Sequence, residues 1–226
     1  MPVVAQIIKD GLEFTAPVTF LVGDNGSGKS TIIEAVADVC KINSAGGKAG
    51  TKYASTGAKT PLGEAMDADF TDAGWRLVAG PRRQRKGFFL RAETLFNLAQ
   101  NVSGRPGFWD ADLTQRSHGE GFLTVLGAMF SEPGIYLMDE PEAALSFVSC
   151  LGLMSLLDRL TAAGGQVICA THSPLLTALP GAQIFELGAR GIRPVAWTQL
   201  QFVDHWRRYL ANPGLYLRHI LDQEQP

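Results

Sequence analysis

The sequence predicts an α/β fold with a mainly parallel central sheet, and three observations carry that expectation. Short β-branched or aromatic runs alternate with segments whose apolar residues recur at helical spacing. The first such run, residues 17–22 (PVTFLV), leads through a glycine-rich loop straight into a helix-like stretch, 29–39 (KSTIIEAVADV). Two later runs, 135–140 (IYLMDE) and 166–171 (QVICAT), read as buried strands separated by a helix at 151–165 (LGLMSLLDRLTAAGG) that stops on glycines. Strand and helix alternating in this way argue for right-handed crossovers around one sheet.

Taken in order, Ile32, Ile33, Val36 and Val39 give the 29–39 helix its apolar side. Residues 43–63 are rich in Gly, Ser, Thr, Ala and Lys without periodicity and read as a mobile loop. WRLVAG (75–80) and GFFLRA (87–92) read as two strands around the basic turn PRRQRK, and ETLFNLAQ (93–100) reads as a helix. SGRPG (103–107) breaks the chain before a helix that opens on glycines at 119–130. The tail gives two strand-like pieces, AQIFELG and GIRPVAW, a helix from about Thr198 to Leu210 and a last turn around Tyr216 to Leu221. Trp197, Trp206 and Tyr209 are expected to pack that tail helix onto the core.

Composition narrows the function classes. The chain has 226 residues with 46% hydrophobic and 19% charged, which excludes wholesale disorder and fits one domain spanning 1–226. Lys and Arg number 20 against 22 Asp and Glu, so net charge offers no case for nucleic acid. Only Arg82, Arg83, Arg85 and Lys86 form a dense basic run, read as a solvated turn with a DNA contact as the alternative. The three cysteines, Cys40, Cys150 and Cys169, sit among apolar or small residues and suit reduced buried thiols, hence a cytoplasmic protein. The start, MPVVAQIIKDG, lacks the pattern of a secretion signal, and no run of apolar residues is long enough to span a membrane.

The chemistry centres on Gly23-Asp24-Asn25-Gly26-Ser27-Gly28-Lys29-Ser30, which fits G-x-x-x-x-G-K-[ST] between a strand and a helix. With this composition an accidental match is about a 1% event, before the flanking elements are required. Backbone N–H groups from Asn25 through Thr31, aided by the helix N-terminus, would surround phosphate oxygens. In this phosphate-binding loop (P-loop), Lys29 would reach the β- and γ-phosphates and Ser30 would ligate Mg²⁺. Ile135 to Met138 deliver Asp139 and Glu140 to a strand end, where Asp139 would hold Mg²⁺ through water and Glu140 would orient or deprotonate an attacking water. Ser117-His118-Gly119-Glu120-Gly121 opens the 119–130 helix, either as a capping box or as a second phosphate contact. His172 ends the strand beside that of Asp139, as a cap residue or as a donor to the γ-phosphate.

GDNGSGKST (23–31), SHGEG (117–121), IYLMDEPEAALS (135–146) and ATHSP (170–174) together resemble the ordered motifs of an ATP-binding cassette (ABC) class ATPase. NGSGKSTIIEAVA, FFLRAETLFN and DEPEAALS resemble its free-standing soluble branch, akin to RecF- and SMC-type proteins, with a signature-helix subregion at about 93–131 and a helical tail at about 198–226. The resemblance implies ATP and Mg²⁺ as cofactors and a head-to-tail homodimer with two ATP molecules between the chains. It implies that Ser117 and Gly119 contact the γ-phosphate of the other chain's ATP, and that His172 senses the γ-phosphate within its own chain. Arg116, His118 and Glu120 depart from the usual LSGGQ signature, and Ser146 replaces the usual D-loop acid. Glu93 stands where a glutamine near the Mg²⁺ is usual, joining Ser30 and Asp139 as a metal candidate. Phe14 is the one candidate for stacking on adenine, with core packing as its alternative.

The resulting expectation is a soluble ATPase that couples dimer closure to an unknown partner protein or to DNA. The alternative is the nucleotide-binding subunit of an ABC transporter. With 86 residues between Ser30 and Ser117, there is no room for long coiled-coil arms.

Overall fold

The computed structural model describes residues 2–49, 59–79, 86–91, 123–124, 126–128, 130 and 132–221. Strands β1 (Val18–Val22), β2 (Gly47–Lys48), β3 (Gly87–Arg91), β4 (Ile135–Asp139), β5 (Gln166–Ala170), β6 (Gln183–Gly188) and β7 (Gly191–Pro194) form one sheet in the order β2-β3-β4-β5-β1-β6-β7. The five inner strands run parallel, and only β2 and β7 are antiparallel, one at each edge. Every residue of β1 and β4 is buried, as parallel strands covered on both faces require.

Side-chain alternation divides the core between the two faces. Phe20, Val22, Tyr136, Met138, Val167 and Cys169 point to one side, where they meet Leu153, Leu157 and Leu160 of α5 (Phe147–Ala162). Leu21, Leu137, Ile168 and Ala170 point to the other, against Ile32, Ile33 and Val36 of α2 (Lys29–Val39). Leu153 and Leu157 are fully buried, each contributing about 1.5–3 kcal/mol by leaving water. Ser146 caps α5 by accepting from the Ser149 N–H at 3.2 Å, and Gly164 ends it with φ 94°.

Cys40, Cys150 and Cys169 are free and buried as expected. Burial pushes the thiols of Cys40 and Cys169 far up, that of Cys40 to about 12.

Helix α1 (Pro2–Asp10) is not foreseen in the sequence reading, although Val3 and Ile7 sit four residues apart and are its buried positions. It covers the hairpin edge: Gln6 donates from Nε2 to the Ile192 carbonyl at 3.0 Å and accepts from the Ile192 N–H at 2.7 Å. The stretch expected as a loop at 43–63 contains β2 and the start of the short helix α3 (Pro61–Ala65), with residues 50–58 outside those described.

The strand expected at 75–80 is a helix instead, α4 (Asp72–Val78). Thr71 caps it by accepting from the Gly74 N–H at 3.1 Å, and this cap with Asp72 in the first turn overrides the strand propensity of Trp75, Leu77 and Val78.

The tail forms α6 (Gln201–Ala211) and α7 (Gly214–Leu221). Trp197 packs against the core and donates its indole N–H to the Pro174 carbonyl at 3.0 Å. Trp206 and Tyr209 do not pack there: they are 49% and 36% exposed and meet each other edge to face, Tyr209 also meeting Tyr216 in this way, while Val203 is the buried anchor of α6.

The described part of the expected 119–130 helix, residues 123–124 and 126–128, is helical, with Leu126 buried. The expected helix at 93–100, the break at 103–107, the basic residues 82–85, Glu93, Ser117 and Gly119 lie outside the described residues. Among the described residues, no helix is long and apolar enough to cross a membrane.

Candidate nucleotide site

In a parallel sheet all inner strands end on the same side, and ligands gather there. Here β5 lies between β4 and β1, so Asp139 at the end of β4, Ala170 at the end of β5 and the loop after Val22 sit side by side.

The loop from Gly23 to Gly28 wraps tightly before α2. At Gly23, with φ 147°, a Cβ would stand 2.3 Å from the Leu187 carbonyl oxygen, so any side chain would drive the loop away from β6. Gly28, with φ 102°, is the left-handed N-cap of α2, an arrangement that leaves the helix's first N–H groups facing outward. Ser27 Oγ is buried against Gly23 without a hydrogen-bond partner, and Asn25 is exposed. Thr31 follows in the first turn of α2.

Lys29 is 4% exposed, and its Nζ donates to the carbonyls of Gly23 at 2.8 Å and Asp24 at 3.1 Å. Burial lowers its pKa, against the opposing pull of Glu140, Asp139, Asp24 and Glu142. The ammonium is thus held within the loop in a place where added negative charge would relieve its desolvation.

Ser30 Oγ donates to Asp139 Oδ1 at 3.2 Å. Burial raises the Asp139 pKa, while the Ser30 bond and the Arg91 and Lys29 charges act against the rise. Arg91, paired in register with Asp139 across β3 and β4, is itself held by Glu34 at 2.9 Å and by the Ser44 carbonyl at 3.2 Å. A desolvated carboxylate beside a hydroxyl is a hard-oxygen donor pair, the kind that fits Mg²⁺ when substrate oxygens and waters complete its shell.

Glu140 has φ 51° and ψ 51°, a left-handed conformation that costs a residue with a side chain on the order of 1 kcal/mol. Its N–H donates to the Ala170 carbonyl at 2.9 Å, and its carbonyl accepts from the Ala143 N–H at 3.1 Å, so the turn is held from both sides. Its carboxylate is turned toward His172, whose Nε2 stands 3.4 Å from Glu140 Oε1 without forming a hydrogen bond.

The structure therefore brings Lys29, Ser30, Asp139, Glu140 and His172 to one end of the sheet. Beside the loop, Pro2 and Val3 of α1, Asp24 to Ser27, and Gly188 and Ala189 of the β6–β7 turn line a cavity of about 250 Å³. Phe14 does not line it and packs instead against the α2-side core.

Three neighbours of the site escape the sequence reading: Arg91, Thr171 and Glu142. Glu142 had a visible signal, as the third acid of DEPEAALS.

A parallel sheet with this loop at its carboxyl edge defines a P-loop nucleotide-binding protein. Residues 8–69 match a family model described as an AAA domain, and residues 110–178 match one described as an AAA domain, putative AbiEii toxin, Type IV TA system.

The cytochrome c biogenesis ATP-binding export protein CcmA of Rhodospirillum rubrum is 28% identical over 180 residues, covering 74% of this chain and 72% of its own length. The ribose import ATP-binding protein RbsA 1 of Rhizobium meliloti is 27% identical over 173 residues, 70% of this chain and 34% of its own length, so the chain spans about a third of that relative. Among solved structures, the SMC head domain from Thermotoga maritima aligns with a TM-score of 0.47 at 19% identity, over 81% of this chain and 92% of that one. The chain is thus similar to ABC-class ATP-binding proteins.

Proposed function

We propose that the chain is a Mg²⁺-dependent ATPase that hydrolyses ATP in a head-to-tail dimer and passes the closing motion to a partner. The observation that carries this reading is the meeting of Lys29, Ser30, Asp139, Glu140 and His172 at one sheet edge. The base and ribose would leave the P-loop toward the cavity lined by Val3, Gly188 and Ala189.

Lys29 exchanges the Gly23 and Asp24 carbonyls for the β- and γ-phosphate oxygens, bringing its charge to where charge is transferred. Ser30 and Asp139 would hold Mg²⁺, which when bound neutralises phosphate charge. Glu140, its side chain 43% exposed, accepts a proton from the attacking water as general base. His172 donates to a γ-phosphate oxygen and so reports whether the γ-phosphate is present.

Ser117 and Gly119, with Glu93 as a third oxygen donor near the metal, complete the assignment. The first two act on the ATP of the second copy, so one chain carries two halves of different sites. ATP-driven closure then brings both halves together, and the work done depends on what is attached. A partner protein is the reading we favour. A contact with DNA through residues 82–86 has no support from the net charge.

Steady-state phosphate release tests the reading. Hydrolysis should require Mg²⁺ and fall to background when EDTA removes it. Undiminished turnover in EDTA would overturn the roles of Ser30 and Asp139.

A second reading, the energising subunit of a transporter, is favoured by the similarity to the ribose import protein RbsA 1 and the export protein CcmA. Co-purification with a polytopic membrane protein would mark it.

A further inference from the structure

Glu142 is used by none of the steps above, yet its carboxylate joins two of their parts. It lies in the 3-10 turn Pro141–Ala144, just beyond Glu140. One of its oxygens, Oε1, accepts from Thr171 Oγ1 at 2.6 Å and from the His172 N–H at 2.7 Å. Thr171 is fully buried, and its hydroxyl in turn accepts from the Ser173 N–H at 2.9 Å. A single oxygen thus orders three consecutive residues around the histidine.

The other oxygen, Oε2, is buried without a hydrogen-bond partner. Burying an unpaired carboxylate oxygen costs free energy, and an uncharged acceptor could order the same backbone at lower cost. What the charge adds is strength, since bonds to an ionised acceptor are shorter and stronger than neutral ones.

The place of this clamp matters. The strands carrying Glu140 and His172 are already tied by the bond from the Glu140 N–H to the Ala170 carbonyl. Glu142 adds a second tie farther along both loops, so Glu140, in its left-handed conformation, and His172, 3.4 Å away, are fixed relative to each other.

We infer that Glu142 is a positioning residue that holds His172 in register with Glu140 at the γ-phosphate. The inference rests on the roles of His172 and Glu140 given under the proposed function. Misplacing a reacting group by an ångström costs about a hundredfold in rate, which sets the size of the effect.

The test is a double-mutant cycle in the full chain, with ATP hydrolysis measured at saturating and limiting ATP. Glu142→Ala should lower kcat by about tenfold to a hundredfold and leave KM for ATP within about threefold, because the P-loop is untouched. Glu142→Gln, which keeps an acceptor oxygen in place of Oε1, should recover most of that loss. In a His172→Ala background, Glu142→Ala should slow the enzyme further by less than about threefold, because the group it positions is gone.

Equal slowing in both backgrounds, or an unchanged kcat in the wild-type background, would overturn the clamp while leaving the histidine's role intact. An unchanged kcat for His172→Ala alone would overturn both. Should Glu142→Ala not fold, the same cycle with Thr171→Val, which removes the hydroxyl's bonds to Glu142 and to the Ser173 N–H, and Thr171→Ser, which keeps both, reads the same coupling. Additive effects there would refute the clamp.

Discussion

Glu140→Gln should reduce phosphate release by about a hundredfold or more while ATP binding stays within about threefold of the wild type. General-base catalysis by a positioned carboxylate contributes roughly 10²–10⁴ in rate, and the amide cannot accept the proton. Binding should survive because Glu140 makes no hydrogen bond to the P-loop. Its backbone is held by Ala170 and Ala143, bonds the substitution keeps. The shape of the turn is therefore retained, and only the proton acceptor is lost. Sedimentation of this variant with ATP should show a dimer that persists because hydrolysis no longer dissolves it. A rate equal to the wild type would remove Glu140 from the mechanism.

Lys29→Ala should weaken ATP binding by about a hundredfold, corresponding to the ~1.5–3 kcal/mol of a hydrogen bond to a charged group. Its effect on the apo fold should be small by comparison. Two opposing contributions set that outcome: the carbonyls of Gly23 and Asp24 lose their donor, but a desolvated ammonium also disappears. Equilibrium nucleotide binding and a melting curve of the same sample separate the two.

The pH dependence has a definite sign. Because burial lowers the Lys29 pKa in the apo fold, its cost is present at low pH and fades as pH rises through the lowered value toward 10.5. ATP needs the charged form, so wild-type affinity should decline on the alkaline side before pH 10.5.

The parts of the site legible in the sequence are those whose chemistry is local. Gly23, Gly28 and Lys29 act within one loop and announce themselves by spacing. Asp139 and Glu140 are read from the apolar run that delivers them, and the buried strands at 18–22, 135–139 and 166–170 from their composition.

What was not legible depends on contacts distant along the chain or on local signals that compete. Glu142 earns its place through Thr171 and His172, partners that no periodicity links to it. Arg91 reaches Asp139 only because β3 and β4 pair in parallel. At 72–78 the apolar run of Trp75, Leu77 and Val78 suggested a strand, but the Thr71 cap decided for a helix. Trp206 and Tyr209 look like core anchors by residue type, yet α6 turns Val203 inward and leaves Trp206 against Tyr209, and Tyr209 against Tyr216 of α7.

The central claim is that each ATP is enclosed by two copies of this chain, one supplying Lys29 and the other Ser117. Mixing two inactive variants tests it most directly. Lys29→Ala spoils the P-loop half, and Ser117→Arg spoils the half offered to the other copy. Alone, neither variant should hydrolyse ATP above about 1% of the wild-type rate. Mixed in equal amounts, half the dimers pair one of each and contain one intact site, so the rate should return to roughly a quarter of the wild type. A mixture no more active than its separate components would contradict a site shared between two chains.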